Sequence, residues 1–329
     1  MFRAADQASA AMIVGVVVTL ALSGCGQSSR APDLPHAPTS LTPRFYAPRG
    51  WAWGHLKLAD GTALRYGVAS PPVVPKGAVL ILPDRDEPAE VWFETANDLL
   101  DRGYTVWLLE SAAGRGPGAL EPARGAVSGM VGTVIRPRPG KPLVLIAQGL
   151  GATLALRAIG EGRAPGLSGA VLASPALDVA GIDGPANPDQ TATLAEWLSR
   201  ARAGWVSLPG DGQPRLNRRA ASGLDPKRAG LAATWRRSDP SLKPRLTTFG
   251  WVWGYDQAIR AARETSPFAR VETPVIMAAE AEDTASAHAC GRLSTCTVWA
   301  APTTAPHLAR DEVRKLWLNK ISGLFGKPN

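Results

Sequence analysis

Short runs of apolar residues alternate along most of the chain with segments in which apolar residues recur at helical spacing. The apolar runs predict buried strands over 78–82, 105–109, 143–146, 170–173, 275–278 and 297–300. The helical spacing predicts helices over 89–102, 120–135, 150–159, 285–293 and 311–325. Strands that are apolar on both faces and alternate with helices are typical of a parallel sheet covered on both sides. The predicted fold class is therefore α/β.

Two segments depart from this alternation. Apolar and polar residues alternate from Trp53 to Tyr66 around Asp60-Gly61, which predicts a β-hairpin. The interval 183–268 is rich in Arg, Pro and Trp and predicts short helices between two sheet strands. We expect a cap there, above the strand ends where α/β proteins bind ligands. Its tryptophans either line an apolar channel for an acyl chain or form the cap's own core: Trp197, Trp205, Trp235, Trp251 and Trp253.

The N-terminus carries the features of an export signal over residues 1–24. Arg3 is followed by an apolar stretch, Ala11 to Leu22, that is too short to span a bilayer. Leu22-Ser-Gly-Cys25 resembles the lipobox of bacterial lipoproteins; the alternative is an ordinary secretory signal with an incidental cysteine. The resemblance implies that Cys25 is lipidated, and therefore a membrane-anchored protein in the cell envelope that faces the periplasm. Gly26 rather than Asp after the cysteine favours the outer membrane.

Residues 25–49 are rich in Pro, Ser and Ala, which predicts a flexible tether before a folded domain over 50–329. The formal charge is +8, but the arginines are scattered, so we expect no nucleic-acid partner. Attraction to an anionic membrane surface and an ordinary solvated face remain as alternatives. Cys290 and Cys296, six residues apart in an exported protein, predict a disulfide, with two buried thiols as the alternative.

Neither a metal nor a cofactor is expected. The cysteine pair lacks the further His or Cys ligands of a metal site. Gly114-Arg-Gly-Pro-Gly118 is rich in glycine but lacks the strand–loop–helix spacing of a nucleotide site.

From about Trp51 to the C-terminus, the order of motifs resembles the α/β-hydrolase superfamily, and more narrowly its bacterial lysophospholipase and monoacylglycerol-lipase-like group of serine aminopeptidase S33 type. The motifs that carry the resemblance are Leu82-Pro-Asp-Arg-Asp-Glu87, Asp98-Leu-Leu-Asp-Arg-Gly-Tyr104, Leu224-Asp-Pro-Lys-Arg228, Asp239-Pro240, Phe249-Gly-Trp251, Thr273-Pro-Val-Ile-Met277 with Glu282-Asp283, and Ala305-Pro-His307 with Arg310-Asp-Glu-Val-Arg314. The resemblance implies an α/β-hydrolase fold with a helical cap.

The segment Leu143 to Ala155 has the pattern of a strand, a sharp turn and a helix, which is how such hydrolases present a nucleophilic serine. The residue at the turn is Gly149, so the hydroxyl that forms an acyl-enzyme is absent. The resemblance assigns the acid to Asp283, with Glu280 and Glu282 as competitors, and the base to His307.

The predicted oxyanion site also departs from the family pattern. The resemblance places its backbone donors at Asp84 and Leu150, but the family has a small residue in place of Asp84. A carboxylate there opposes a developing oxyanion unless it turns away or is neutralised. The loop after the next strand, Glu110-Ser-Ala-Ala-Gly114, differs from the family as well.

Three hypotheses follow. The first is a pseudoenzyme that binds a lysophospholipid, an acylglycerol or another ester ligand, or a protein partner, without turnover. The second is an active ester hydrolase, in which His307 activates a water in the space left by Gly149, or in which Ser111 or Ser174 is a relocated nucleophile. The third is a structural envelope lipoprotein.

Overall fold

The computed structural model describes residues 37–59, 61, 63–85, 87–110, 120–177, 187–209, 224–243, 246–264, 271–280 and 283–326, with backbone alone at 120–124 and 263–264. Several predictions fall outside these residues. They concern the export signal 1–24, Cys25, the first part of the tether, Ser111 and Glu282.

One sheet of eight strands forms the centre of the fold. The strands are β1 (Ala52–Lys57), β2 (Ala63–Ala69), β3 (Gly77–Leu82), β4 (Tyr104–Leu109), β5 (Leu143–Gln148), β6 (Leu167–Ala173), β7 (Val275–Ala279) and β8 (Cys296–Ala300). Their order is β1-β2-β4-β3-β5-β6-β7-β8. The β1–β2 and β2–β4 pairs are antiparallel, and all the later pairs are parallel. The predicted hairpin and the predicted parallel sheet are both confirmed.

Helices connect and cover the strands. They are α1 (Phe93–Asp101), α2 (Leu120–Gly129), α3 (Gly149–Gly160), α4 (Pro188–Arg200), α5 (Pro226–Ala229), α6 (Leu231–Ser238), α7 (Phe249–Glu264), α8 (Thr284–Gly291) and α9 (Asp311–Phe325). Short 3₁₀ turns occupy Pro43–Phe45, Ala89–Trp92, Pro240–Leu242 and Pro306–Leu308, and a π-helical stretch, Met130–Ile135, extends α2. The predicted helix over 89–102 is thus a 3₁₀ turn followed by α1.

The side chains of the central strands alternate between two hydrophobic layers. Leu80 and Leu145 point into one layer, which α2 and α3 cover. Val79 and Ile146 point into the other, with Trp317 of α9. Because both faces are buried, the strands have the continuous apolar runs by which they were predicted.

A third hydrophobic cluster joins the insertion between β6 and β7 to the start of α3. Leu150 and Leu154 pack there with Trp251, Tyr255 and Ile259 of α7. The insertion therefore lies directly beside the turn that precedes α3.

The five tryptophans of the insertion lie in different environments. Trp251 lies in the cap cluster, and Trp253 packs against it. Trp235 lies instead in the core layer beside α9. Trp197 and Trp205 are 71% and 70% exposed. Neither a tryptophan-lined channel nor a tryptophan core describes all five.

The tether is shorter than predicted. Phe45 is buried, and Arg44 forms an ion pair of 2.5 Å with Glu94 of α1. The Tyr46 hydroxyl donates to the carbonyl of Leu41. Residues 37–49 therefore pack against the domain, because a few apolar side chains within the Pro-rich composition find buried sites.

Cys290 and Cys296 form a disulfide that links the end of α8 to β8. In the part of the chain described here, no helix has both the length and the apolar character to cross a membrane.

Candidate functional site

The turn between β5 and α3 has the geometry that the sequence predicts. Gly149 adopts φ +52°, in the left-handed region that strains other residues. A Cβ atom at Gly151 would lie 2.5 Å from the carbonyl oxygen of Pro83, so the loop after β3 passes too close for a larger residue. The backbone is therefore that of a nucleophile elbow, with glycine at its tip.

The side chain of Asp84 occupies the space where a serine side chain would stand. Its Oδ1 accepts hydrogen bonds from the backbone N–H of Leu150 at 2.8 Å and of Arg85 at 2.7 Å. A Cβ atom built on Gly149 would overlap this carboxyl group. The hypothesis of a water in a void at Gly149 is therefore wrong, because the carboxylate fills that space.

The two amides that converge at the elbow are those of Leu150 and Arg85. The sequence prediction of Leu150 as a donor agrees with this geometry. The prediction of Asp84 as the second backbone donor does not, because the second amide belongs to the next residue and Asp84 supplies the acceptor. Paired N–H groups of this kind bind an anionic oxygen. Here the anion is part of the chain itself.

Burial raises the pKa of Asp84 to about 6, and the nearby charge of Glu87 adds to the increase. The two backbone hydrogen bonds and the charge of Arg85 act in the opposite direction, since they favour the carboxylate. Above about pH 6, the group in the elbow is therefore an anion.

His307 lies in the 3₁₀ turn Pro306–Leu308 and is completely buried. Its ring stacks on Trp92 with centroids 4.3 Å apart. Its Nε2 lies 2.6 Å from Oε1 of Glu87, which is ion-pair distance, although the direction from the ring nitrogen is outside hydrogen-bond geometry. Among the residues that the structure describes, the acidic partner of the imidazole is therefore Glu87.

Glu87 is held from two sides, since its Oε2 also accepts from Nε1 of Trp92 at 2.8 Å. Burial opposes ionisation of Glu87, but the nearby charge of His307, together with the hydrogen bond from Trp92, outweighs it and lowers the pKa of Glu87. Glu87 is therefore ionised near neutral pH.

Asp283 lies at the N-cap of α8. Its carboxylate accepts from the backbone N–H of Ser286 at 3.0 Å and from the Ser286 hydroxyl at 2.6 Å. Within the described residues, no hydrogen bond or ion pair joins Asp283 to His307. A helix start satisfies the carboxylate locally, so the structure does not assemble the predicted acid–base pair. Glu280, its described competitor, is exposed.

Ser174, one of the two relocated nucleophiles considered above, follows β6 with φ +38°. Its backbone N–H donates to the carbonyl of Ala278 at 2.8 Å. Among the side chains that the structure describes, none accepts a hydrogen bond from its hydroxyl. The base that a serine nucleophile needs is thus not in place.

Arg85, Glu87 and Trp92 were missed as site residues. Arg85 contributes an amide, and its guanidinium lies 4.2 Å from the ring centroid of Trp251 and donates to Thr247 Oγ1. The sequence showed Glu87 only as part of a family motif. Its one distinguishing signal was a further carboxylate in the loop that already contains Asp84 and Asp86.

A family model described as serine aminopeptidase, S33, matches residues 74–292. A search of curated proteins finds no match.

Solved structures share the fold at low sequence identity. A soluble variant of monoglyceride lipase from Saccharomyces cerevisiae, in complex with a substrate analog, is 18% identical with a TM-score of 0.59 over 88% of this chain and 98% of that one. Monoacylglycerol lipase from Paleococcus ferrophilus is 17% identical, with a TM-score of 0.57 over 80% and 99%. A thermostable carboxyl esterase from Bacillus coagulans, in complex with glycerol, is 13% identical, with a TM-score of 0.57 over 84% and 99%.

These likenesses and the mostly parallel sheet confirm the predicted α/β-hydrolase fold. Because the family model covers most of the folded chain, the protein belongs to the serine aminopeptidase S33 family of α/β-hydrolases.

Proposed function

We propose that the protein is a membrane-anchored pseudoenzyme with respect to esters, which binds a lysophospholipid, an acylglycerol or a related ester without serine-type hydrolysis. The observation that carries this proposal is the Asp84 carboxylate in the elbow. It takes both the space of the missing nucleophile and the two amides that would stabilise a tetrahedral oxyanion. An ester carbonyl therefore meets neither an attacking serine nor vacant donors.

The class of ligand is proposed by analogy with solved structures of the same fold. The Saccharomyces cerevisiae monoglyceride lipase was solved with a substrate analog, and the Bacillus coagulans esterase with glycerol. In this chain, apolar side chains of α7 border the elbow from the cap side. An apolar cluster beside the elbow supports an acyl chain as the part of the ligand that is bound.

An assay of ester hydrolysis on the full mature chain in detergent tests the loss of serine chemistry. We expect no turnover of 4-nitrophenyl butyrate or monooleoylglycerol above buffer. Gly149→Ser alone should also be inactive, because the new side chain would overlap the Asp84 carboxyl group. Combining Gly149→Ser with Asp84→Gly clears that space and vacates both amides, so only the double variant should gain hydrolysis that a serine-reactive inhibitor blocks.

Turnover by the unaltered protein that is comparable with the double variant would contradict this proposal. Binding is measured separately, by titration of the unaltered protein with 1-oleoyl-lysophosphatidylcholine and monooleoylglycerol. Saturable binding of either compound supports a ligand-binding role. Binding of neither would favour the structural envelope lipoprotein.

We also propose that Cys25 carries the lipid anchor, on the strength of the Leu22-Ser-Gly-Cys25 sequence. Expressed in a Gram-negative host, the unaltered chain should incorporate radiolabelled palmitate and sediment with membranes, mainly outer membranes. Cys25→Ala should abolish labelling and release the protein from the membrane fraction, whereas Cys290→Ala should leave labelling unchanged. Equal labelling of the Cys25→Ala variant would exclude the anchor.

A further inference from the structure

Several large apolar side chains of the cap stand in water. Trp197 and Trp205 are 71% and 70% exposed, and Leu194 and Leu246 are 42% and 60% exposed. Tryptophan is a side chain that folded proteins keep well buried on average. Large apolar side chains that are exposed close together mark sites of contact with a partner or a membrane. The cap therefore presents a surface that the folded domain itself does not cover.

This apolar surface is centred on the C-terminal end of α4. Leu194 and Trp197 are three residues apart, so they share one face of that helix. The chain turns back directly after the helix, where the N–H of Ala203 donates to the carbonyl of Leu198 at 2.7 Å. The turn keeps Trp205 near the same end of α4.

The exposed face of α4 is shallow and open. A depression of about 390 Å³ follows it and is lined by Asp189, Gln190, Thr193, Leu194 and Trp197. Protein partners usually insert their anchor side chains into well-packed pockets from which water is excluded. An open face suits a fluid partner better, because lipid molecules adapt to the shape of the surface they meet.

Charge is unevenly divided along α4. The acidic Asp189 lies in the first turn, whereas Arg200 ends the helix and Arg202 follows it, both exposed. Glu196 forms an ion pair with Arg200 at 2.6 Å, so Arg202 supplies the positive charge at this end. The chain as a whole carries a formal charge of +8. The end of α4 that carries the tryptophans therefore favours an anionic partner.

We propose that Leu194, Trp197, Trp205 and Arg202 form a docking surface for an anionic phospholipid bilayer, the α4 surface. Tryptophan rings are enriched where headgroups meet acyl chains, and a basic side chain near the bilayer is attracted to anionic headgroups. This contact is independent of the acyl anchor proposed at Cys25 and goes beyond the ester-binding role. It would hold the cap, which borders the elbow, against the membrane.

The test uses the full mature chain with Cys25→Ser, which cannot be acylated, so that vesicle binding reports the α4 surface alone. We expect it to co-sediment with vesicles of phosphatidylcholine and phosphatidylglycerol in equal parts. Replacing both tryptophans, by Trp197→Ala and Trp205→Ala, should weaken binding by about tenfold or more, because their apolar area stays in water. Arg202→Gln should weaken it about fivefold, and only where phosphatidylglycerol is present.

The matched control replaces Val73 and Val74 by alanine in the loop before β3. These side chains are 64% and 80% exposed but lie outside the cap, so this variant should bind as the reference does. A second measurement needs no variant. Phosphatidylcholine brominated on its acyl chains should quench part of the tryptophan fluorescence of the reference chain when it is mixed with phosphatidylglycerol.

Three results would each overturn the proposal. They are no sedimentation and no quenching with the anionic vesicles, equal binding by the double tryptophan variant, and self-association that this variant abolishes. The last result would assign the surface to a second copy of the chain, and analytical ultracentrifugation measures it. None of these readouts involves ester hydrolysis or the acyl anchor, so failure here leaves both earlier proposals to their own assays.

Discussion

Gly149, Asp84 and Leu150 are one arrangement rather than three separate changes. Glycine adopts φ +52° without the strain of about 1–3 kcal/mol that other residues carry in such conformations. Because glycine has no side chain, there is room for the Asp84 carboxyl group, which accepts a hydrogen bond from the Leu150 N–H. Hydrogen bonds from N–H groups to a carboxylate are stronger than those between neutral groups. The elbow therefore holds a carboxylate in place of a serine.

Asp84→Asn should flatten the dependence of stability on pH between about pH 4 and about pH 6. The pKa of Asp84 is raised from 3.8 to about 6, so the folded state holds the proton more tightly than the unfolded state. The stabilisation from this group is complete below about pH 4 and is lost as the pH rises through about 6. A rise of this size corresponds to at most about 3 kcal/mol.

Urea unfolding of both proteins at several pH values between about 4 and 8 measures this difference. Burial also raises the pKa of Glu90, to about 7. Both proteins therefore lose some further stability as the pH rises through about 7. The prediction therefore concerns the difference between the two curves. Parallel curves would show that Asp84 ionises equally well in both states.

At the scale of elements, a short stretch of the cap is fastened to the histidine loop. Leu224 forms an isolated β-bridge with Ala309, and the N–H of Asp225 donates to the carbonyl of Leu308. Arg228 of α5 is completely buried and donates to the carbonyl of Ala309 at 2.7 Å. Its guanidinium also binds both carboxylate oxygens of Glu94 on α1. These contacts fix the residues that follow His307, and so help to keep its ring beside Glu87.

Arg228→Ala should lower the free energy of unfolding by about 3–5 kcal/mol, because it leaves the carboxylate of Glu94 without its bidentate partner inside the protein. Arg200→Ala is the matched control, since it removes an exposed ion pair with Glu196 and should cost less than about 1 kcal/mol. Chemical denaturation measures both values. A loss for Arg228→Ala no larger than that for Arg200→Ala would contradict this prediction.

At the scale of the whole molecule, the folded domain begins before the predicted boundary. Phe45 packs in the same layer as Trp51 and Phe93. Arg44 reaches both Glu94 and Asp311, which connects the N-terminal segment to α1 and α9. Residues 37–49 therefore belong to the folded domain rather than to the predicted tether.

A soluble domain that begins at residue 50 should be less stable by about 3 kcal/mol than one that begins at residue 37. The shorter domain loses the burial of Phe45, which is worth about 1.5–3 kcal/mol, together with the ion pair of Arg44 and Glu94. Thermal and urea unfolding compare the two domains. Phe45→Ala in the longer domain should reproduce most of the loss. Equal stability of the two domains would show that residues 37–49 do not stabilise the fold and behave as a tether.

The sequence by itself determined the sheet, the elbow and the loss of the serine. Runs such as 143–146 are apolar because both faces of a central parallel strand are covered, and this pattern is local. Ala147, Gly149 and Gly151 mark the sharp turn, because only small residues allow β5 and α3 to meet closely beneath the loop after β3. These requirements act on neighbouring residues, so they can be read from one segment at a time.

Only the tertiary structure decided which groups meet at the elbow. Asp84 fills the space of the serine side chain and accepts a hydrogen bond from the Leu150 amide. Glu87, rather than Asp283, approaches the imidazole of His307. In both cases the side chain that takes the position is distant in sequence from the group that it contacts. The outcome depends on distances between loops, and in the case of Asp283 on a helix start that satisfies the carboxylate locally. The spacing of residues in the sequence does not show which carboxylate reaches these groups. Burial and hydrogen-bond geometry in the folded chain do show it.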